Sequence, residues 1–278
     1  MINYNQMAFN YDMDKKRIIV TILLMMTFVV SVVSQEKDST AARISSFGGA
    51  VTIQSKGIST IPNLTLGKPA AVFDMKIGRK LTFEPQFRFA LDGKPWAMVF
   101  WWRYYASISN KFKVTLHTNY SFSYKTITSY SSSGIPQDLI RTTRYLVGAV
   151  APNYQFNKYV GVGMYLFYNR GIEKFITQNT YMASFRPSFS NIPVTKNISA
   201  RFGPEVYYLK MDDKDGVYLN TTLSISKKNF PLSVSALINK PLRSDIPSEY
   251  DFLWNVGLIY SFNKEFREVH KVLVVLNK

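Results

Sequence analysis

The most regular part of the chain lies between Leu81 and Tyr105, where apolar and polar side chains alternate. Over 81–91 apolar residues occupy every second position, and charged side chains are among the residues between them. Residues 92–95, with the sequence Asp-Gly-Lys-Pro, have turn composition, and the alternation resumes over 96–105. Because successive side chains of a strand point to opposite faces, this stretch predicts a β-hairpin with one apolar and one charged face.

The same two-residue period recurs along the chain and predicts about twelve strands. The predicted strands span 45–54, 70–78, 81–91, 96–107, 112–124, 143–155, 159–169, 175–189, 196–210, 217–227, 231–240 and 252–263. Longer connections at 55–69, 125–142 and 241–251 alternate with short turns, which is the plan of outer-membrane barrels with both termini in the periplasm. We therefore expect one all-β domain over 44–263, a closed antiparallel transmembrane β-barrel of about twelve strands.

The N-terminal region predicts export. An apolar run of 16 residues, 18–33, follows three consecutive basic residues and precedes Ser34. This run is shorter than the roughly 20 residues of a spanning helix, so we interpret residues 1–34 as a signal peptide cleaved after Ser34. The alternative is an uncleaved N-terminal anchor. Residues 1–12 are interpreted as a misassigned start, 35–43 as a periplasmic lead-in, and 264–278 as a C-terminal tail without an assigned role.

Aromatic residues make up 15% of the chain, with 18 Tyr and 20 Phe. Such enrichment is typical of proteins with aromatic girdles at the two membrane interfaces. The residues assigned to these girdles are Trp96, Trp102, Tyr104, Trp254, Tyr260 and Phe262.

The absence of cysteine excludes disulfides, thiolate metal sites and an N-terminal lipid anchor on cysteine. Beyond residue 34 the chain has 31 basic and 16 acidic residues. This charge suits acidic lipid headgroups or an anionic solute, and an exported barrel makes nucleic acid the least suitable partner. We expect outer-membrane lipid, lipopolysaccharide, the barrel-assembly machinery and a small anionic solute as partners.

The segment Gly67–Tyr104, GKPAAVFDMKIGRKLTFEPQFRFALDGKPWAMVFWWRY, resembles a group of uncharacterised outer-membrane β-barrel proteins from Bacteroidetes-type bacteria. The likeness is strongest over about 56–105, and beyond it only the general sequence character of a β-barrel remains. It implies the compartment and the fold, and it brings no known catalytic or binding residues.

If the apolar face of each strand points outward, the polar face lines the lumen. The predicted lumen charge network consists of Asp74, Glu84, Arg88, Arg103, Arg186, Arg201 and Glu205. Two interpretations remain open: an arginine-lined pore for anionic solutes, or arginine–carboxylate pairs that fill and brace the barrel. From strand geometry we expect Arg88 to pair with a carboxylate such as Asp74, and Glu84 with an arginine such as Arg103.

An enzyme is a weaker interpretation. His117, Asn119 and Ser121 share one face of a predicted strand. Same-face neighbours lie about 6.5–7 Å apart, whereas a nucleophile and its base need contact at about 3 Å. None of the common hydrolase, metalloprotease or nucleotide-binding motifs occurs. We predict a passive pore or structural barrel with no catalytic residues, metal or cofactor. The alternatives are a lipid or ester hydrolase using His117, and an adhesin or binding scaffold using the long loops.

Overall fold

A computed structural model describes residues 44–130 and 135–267 as a closed barrel of twelve antiparallel strands. In chain order, β1 to β12 are Ile44–Gln54, Ala70–Gly78, Leu81–Ala90, Pro95–Ser107, Phe112–Tyr130, Pro136–Gln155, Val160–Gly171, Asn179–Pro193, Ile198–Met211, Lys214–Lys227, Leu232–Ser244 and Leu253–Arg267. A 3-10 helix, Pro62–Leu64, lies between β1 and β2. The predicted fold class is therefore confirmed.

Each strand pairs with its neighbours in sequence, and β1 pairs with β12 to close the barrel. Closure leaves no edge strand with unpaired backbone groups. The hairpin predicted between Leu81 and Tyr105 forms β3 and β4, with Phe83 opposite Trp102 and Glu84 opposite Trp101. The predicted hairpin is thus present, with one face outward and the other in the lumen.

Burial alternates along the strands as expected for a membrane barrel. On β6, Leu146 is 52% exposed on the exterior whereas Val147 is 5% exposed in the interior. Large apolar and aromatic side chains are exposed in this way on the outside of most strands. An apolar exterior around a closed barrel is the lipid-facing surface of a transmembrane protein, and such barrels lie in outer membranes.

Two of the three predicted long loops are shorter than expected. The prediction of a loop over 125–142 is wrong, because β5 continues to Tyr130 and β6 begins at Pro136. Beyond the lipid both faces of this hairpin contact water, so its polar residues lack the alternation that marks the membrane part. The loop predicted at 241–251 is shortened because β11 extends to Ser244. One strand also starts later than predicted, since β8 begins at Asn179 rather than at 175.

Prolines interrupt the ladders at two places. The β6–β7 pairing has a gap around Pro152, between the pairs Val150–Leu166 and Asn153–Gly163. Pro204 of β9 pairs in register with Thr221 of β10, whereas the ladder between β8 and β9 is irregular beside Pro204. Proline cannot donate a backbone hydrogen bond, so it locally breaks the ladder on the side where its nitrogen points.

Several sequence predictions lie outside the described residues. These are the signal peptide at 1–34, the lead-in at 35–43 and residues 268–278 of the predicted C-terminal tail. The tail prediction is wrong for 264–267, because β12 continues to Arg267. Within 44–130 and 135–267, no helix is long and apolar enough to cross a membrane.

Candidate functional site in the barrel lumen

The connection between β1 and β2, residues 55–69, folds into the barrel, and we call it the inserted loop. Its Thr60 carbonyl accepts a hydrogen bond from the Tyr207 hydroxyl on β9 at 2.9 Å. Its Leu64 carbonyl accepts one from the Trp96 indole on β4, also at 2.9 Å. Because β4 and β9 are not neighbours in the barrel, the loop reaches across the lumen.

Apolar side chains pack around the inserted loop and form what we call the apolar plug. Ile61 of the loop packs in one cluster with the interior side chains of Tyr207, Leu209 and Tyr218 and with Ile246 of the β11–β12 loop. The rings of Tyr207 and Tyr218 stack with centroids 5.0 Å apart. The plug therefore narrows the lumen in the half that lies nearer the long loops.

Nearer the short turns, the lumen carries charged groups, beginning with Glu84. This carboxylate accepts hydrogen bonds from the Thr82 and Tyr105 hydroxyls, each at 2.8 Å. It contacts the guanidinium of Arg103 directly, and the Lys76 ammonium lies 3.2 Å away. Four donors from three strands, β2, β3 and β4, thus surround one carboxylate.

The same set of contacts continues around the wall through His117. Arg103 Nε donates to His117 Nδ1 at 3.1 Å, and the imidazole meets the Tyr165 ring edge-to-face at 5.5 Å. The Arg186 guanidinium lies over the Tyr165 ring, 4.3 Å from its centroid. The Nε of Arg186 donates to Glu205 at 2.6 Å. These contacts extend the charged wall from β4 to β9.

We call this continuous set the lumen belt. Its members are Lys76, Glu84, Arg103, His117, Tyr165, Arg186, Glu205 and Asn220. The last contact is the Asn220 amide, which donates to Glu205 at 3.0 Å. Lys76 and Tyr165 were not among the predicted lumen residues, although their place on the inward phase of their strands could have identified them.

Asp74 and Arg88 are connected by hydrogen bonds to the side chain of Gln86. The Gln86 amide donates to Asp74, and Arg88 Nε donates to the Gln86 oxygen at 2.6 Å. The expected direct pair is wrong because Gln86 lies opposite Asp74, whereas Arg88 lies opposite Val72. The guanidinium of Arg88 instead lies 5.0 Å from the Trp96 ring centroid.

Two sequence-predicted residues occupy other environments. Trp96 is 3% exposed and contacts the inserted loop, so its assignment to a girdle is wrong. The β3–β4 ladder has a register shift between Arg88 and Phe89, beside Trp96. This shift changes the inward and outward alternation of side chains at Trp96. Arg201 is exposed on β9, where its backbone pairs with Ser224, and its side chain makes no hydrogen bond or ion pair with residues that the structure describes.

The other aromatic candidates lie on the exterior face. Trp102 and Trp254 are 48% and 51% exposed, at positions near the short-turn and long-loop ends of their strands. Tyr260 is also exposed, Tyr104 is partly exposed, and Phe262 packs on Phe47 with ring centroids 5.7 Å apart. Their role in anchoring the barrel at the interfaces stays a prediction.

Several buried polar atoms of the lumen wall have no hydrogen-bond partner in the part of the chain that the structure describes. They are His117 Nε2, Asn119 Oδ1, Asn169 Oδ1, Ser184 Oγ and Asn220 Oδ1 on β5, β7, β8 and β10, and Gln54 Oε1 at the end of β1. Buried polar groups are nearly always hydrogen-bonded to protein or water. These atoms therefore mark hydrogen-bonding capacity in the lumen wall that the surrounding side chains do not use.

A cavity of about 610 Å³ adjoins one side of the belt. It is lined by Lys76, Glu84 and Arg103 of the belt, by Trp101, and by small residues of β1 that include Gly48. Part of the charged wall thus faces open space rather than packed side chains.

The surroundings of His117 do not suit a catalytic base. Its Nδ1 accepts a hydrogen bond from Arg103, so the proton of the neutral imidazole lies on Nε2. Nε2 is then a donor, without the lone pair that would activate a hydroxyl. No group of three or more His, Cys, Asp or Glu residues in the described ranges could hold a metal ion.

No protein-family model and no curated protein matches the chain. Three solved structures to which the chain is similar can be named. A KdgM porin in complex with disordered oligogalacturonate has 12% identity, a TM-score of 0.47, and coverage of 78% of this chain and 99% of that one. An outer membrane channel from Pseudomonas putida F1 has 11% identity, a TM-score of 0.45, and coverage of 82% and 100%. LpxR from Salmonella typhimurium has 10% identity, a TM-score of 0.45, and coverage of 77% and 99%.

Proposed function

We propose that the protein is a narrow passive pore of the outer membrane that favours small anionic solutes. The observation that carries the proposal is the cavity of about 610 Å³ beside the lumen belt, which is lined by Lys76, Glu84 and Arg103. A lumen filled by side chains would cover these charged groups with packed neighbours, whereas here part of the charged wall faces open space. Water in this space solvates the charged groups and gives small solutes a path.

The charge of the lumen supports a preference for anions. Four cations, Lys76, Arg88, Arg103 and Arg186, face three carboxylates, Asp74, Glu84 and Glu205. Charged side chains lining a pore set its ion selectivity. Because most of these cations are paired, we expect a modest preference. The inserted loop and apolar plug restrict the path to small solutes.

Planar-bilayer recording with a salt gradient tests the proposal. The wild-type protein is expected to give steady ohmic current with a reversal potential that indicates anion preference. Arg186→Gln should shift the reversal potential toward cations, because it leaves Glu205 without its cation. Lys210→Gln removes the same charge from an exposed exterior position on the adjacent strand β9 and should leave selectivity unchanged. Absence of current from correctly folded protein would contradict the proposal.

A structural barrel is the second candidate, and the surroundings of Glu84 favour it. Four donors from β2, β3 and β4 surround this carboxylate, so its contacts brace three strands against one another. A folded barrel without conductance would support this reading. The hydrolase and adhesin hypotheses have no comparable observation in their favour. Lipase activity that is lost in His117→Ala would support the hydrolase hypothesis.

We also propose the remaining sequence interpretations. They are export by a signal peptide cleaved after Ser34, partnership with lipopolysaccharide and the barrel-assembly machinery, and relatives among Bacteroidetes-type outer-membrane barrels. The resemblance of Gly67–Tyr104 supports the last of these. N-terminal sequencing of the protein from outer membranes should begin at Gln35, and a start upstream of residue 18 would contradict cleavage.

A further inference from the structure

The two rims of the barrel differ in charge. Five short turns, 79–80, 108–111, 156–159, 194–197 and 228–231, form one rim, and together they contain six basic and no acidic residues. We call these six residues the basic rim: Arg79, Lys80, Lys111, Lys158, Lys196 and Lys228. The six connections at the other rim contain seven acidic and four basic residues, at 55–69, 91–94, 131–135, 172–178, 212–213 and 245–252. The high net charge of the chain is therefore not spread evenly over its loops.

The basic rim lies beside the membrane interface. Lys158 of the rim lies over the ring of its neighbour Tyr159, 4.9 Å from the centroid. Lys227, the last residue of β10 and the neighbour of Lys228 in the rim, lies 5.8 Å from the Phe230 centroid. Exposed aromatic rings at barrel ends mark the level of the lipid headgroups. Cations next to these rings therefore lie where headgroup phosphates are found.

We propose that the basic rim binds the headgroups of anionic phospholipids in the leaflet on the short-turn side, which is the periplasmic leaflet. All five short turns contribute at least one cation, so the charges encircle the barrel. Lipids surround a barrel on all sides, whereas a protein or soluble polyanion would need its contacts gathered in one patch. Juxtamembrane lysine and arginine residues attract anionic lipids through Coulomb forces that fade within a Debye length.

Tryptophan quenching measures this lipid selectivity directly. The full chain carrying Trp254→Phe retains one exposed exterior tryptophan, Trp102, near the short-turn rim. It is reconstituted in phosphatidylcholine vesicles with either brominated phosphatidylglycerol or brominated phosphatidylcholine. The expected relative binding constant for phosphatidylglycerol is about fivefold, the value that one headgroup-level cation supplies. The preference should fall toward onefold at 1 M salt, where the Debye length is about 3 Å.

Two matched variants decide the origin of the preference. Replacing Lys111, Lys158, Lys196 and Lys228 together with glutamine should reduce the preference toward onefold. Replacing Lys68, Lys94, Lys174 and Lys214 with glutamine removes the same charge from the long-loop end and should leave the preference intact.

The proposal is overturned if wild-type protein shows no preference, if the basic-rim variant keeps it, or if both variants lose it equally. It is also overturned if a soluble polyanion, such as polyglutamate, competes fully with the lipid at low salt. The measurement does not depend on conductance, so the proposed pore function can fail without affecting this result.

Discussion

At the residue scale, Glu84 decides between a braced and a hydrated lumen. Its side chain is 11% exposed and that of its partner Arg103 is 26% exposed. The pair thus lies between the fully buried and the fully exposed case. Breaking a buried pair costs about 3–5 kcal/mol, whereas an exposed pair contributes under about 1 kcal/mol.

We expect Glu84→Gln to lower the free energy of unfolding by about 2 kcal/mol, because the adjoining cavity lets water solvate Arg103 after the change. Urea unfolding from detergent measures the loss. The matched control is Glu173→Gln, which removes a carboxylate from the more exposed Arg144 and should cost under about 1 kcal/mol. Equal losses in the two variants would contradict the special position of Glu84.

Glu173, in the β7–β8 loop, provides a test of pH dependence. Partial burial acts to raise its pKa, but hydrogen bonds from the Arg144 backbone and guanidinium bring the pKa below the ordinary 4.5. The contact therefore contributes stability above about pH 4.5 and is lost as the pH falls through the lowered pKa. The Arg144 amide donates to Glu173 at 2.8 Å, so its hydrogen-exchange protection should decrease through this acid range. In Glu173→Gln the protection should not vary with pH.

At the element scale, the inserted loop determines how open the barrel is. It is held by hydrogen bonds from Tyr207 and Trp96 and by the packing of Ile61. Tyr207 also receives a hydrogen bond from the Asn239 amide at 2.8 Å. One hydroxyl thus joins the loop to β9 and β11.

Tyr207→Phe is expected to loosen the inserted loop, because it removes the hydroxyl while keeping the ring in the plug. Single-channel current should become larger or noisier than in the wild type. Tyr208→Phe is the matched control, because Tyr208 lies on the exposed side of β9 and its hydroxyl donates to Asp215 of β10. Identical single-channel records for Tyr207→Phe and wild type would show that the loop is held by packing alone.

At the scale of the whole molecule, closure and the apolar exterior make the protein a membrane barrel. Every strand has two hydrogen-bonded neighbours, so local fraying cannot begin from a free edge. We therefore expect an unboiled sample in detergent to migrate differently from a boiled one on a gel and to give a β-type circular dichroism spectrum. A monomer that stays soluble and folded without detergent would contradict this assignment.

The sequence by itself determined the strands and the identity of most lumen residues. The two-residue period places Glu84, Arg103, Arg186 and Glu205 on the inward face, because side-chain direction within a strand depends only on neighbouring positions. It failed for the β5–β6 hairpin beyond the membrane, where water on both faces removes the alternation.

Only the tertiary structure decided which of these residues meet. The position of Gln86 between Asp74 and Arg88 depends on register, and the inward turn of Trp96 depends on an irregularity in the β3–β4 ladder. The entry of residues 55–69 into the lumen depends on contacts with β4 and β9, which are distant in sequence. Such contacts arise from closure of the barrel, and no local pattern of polar and apolar residues encodes them.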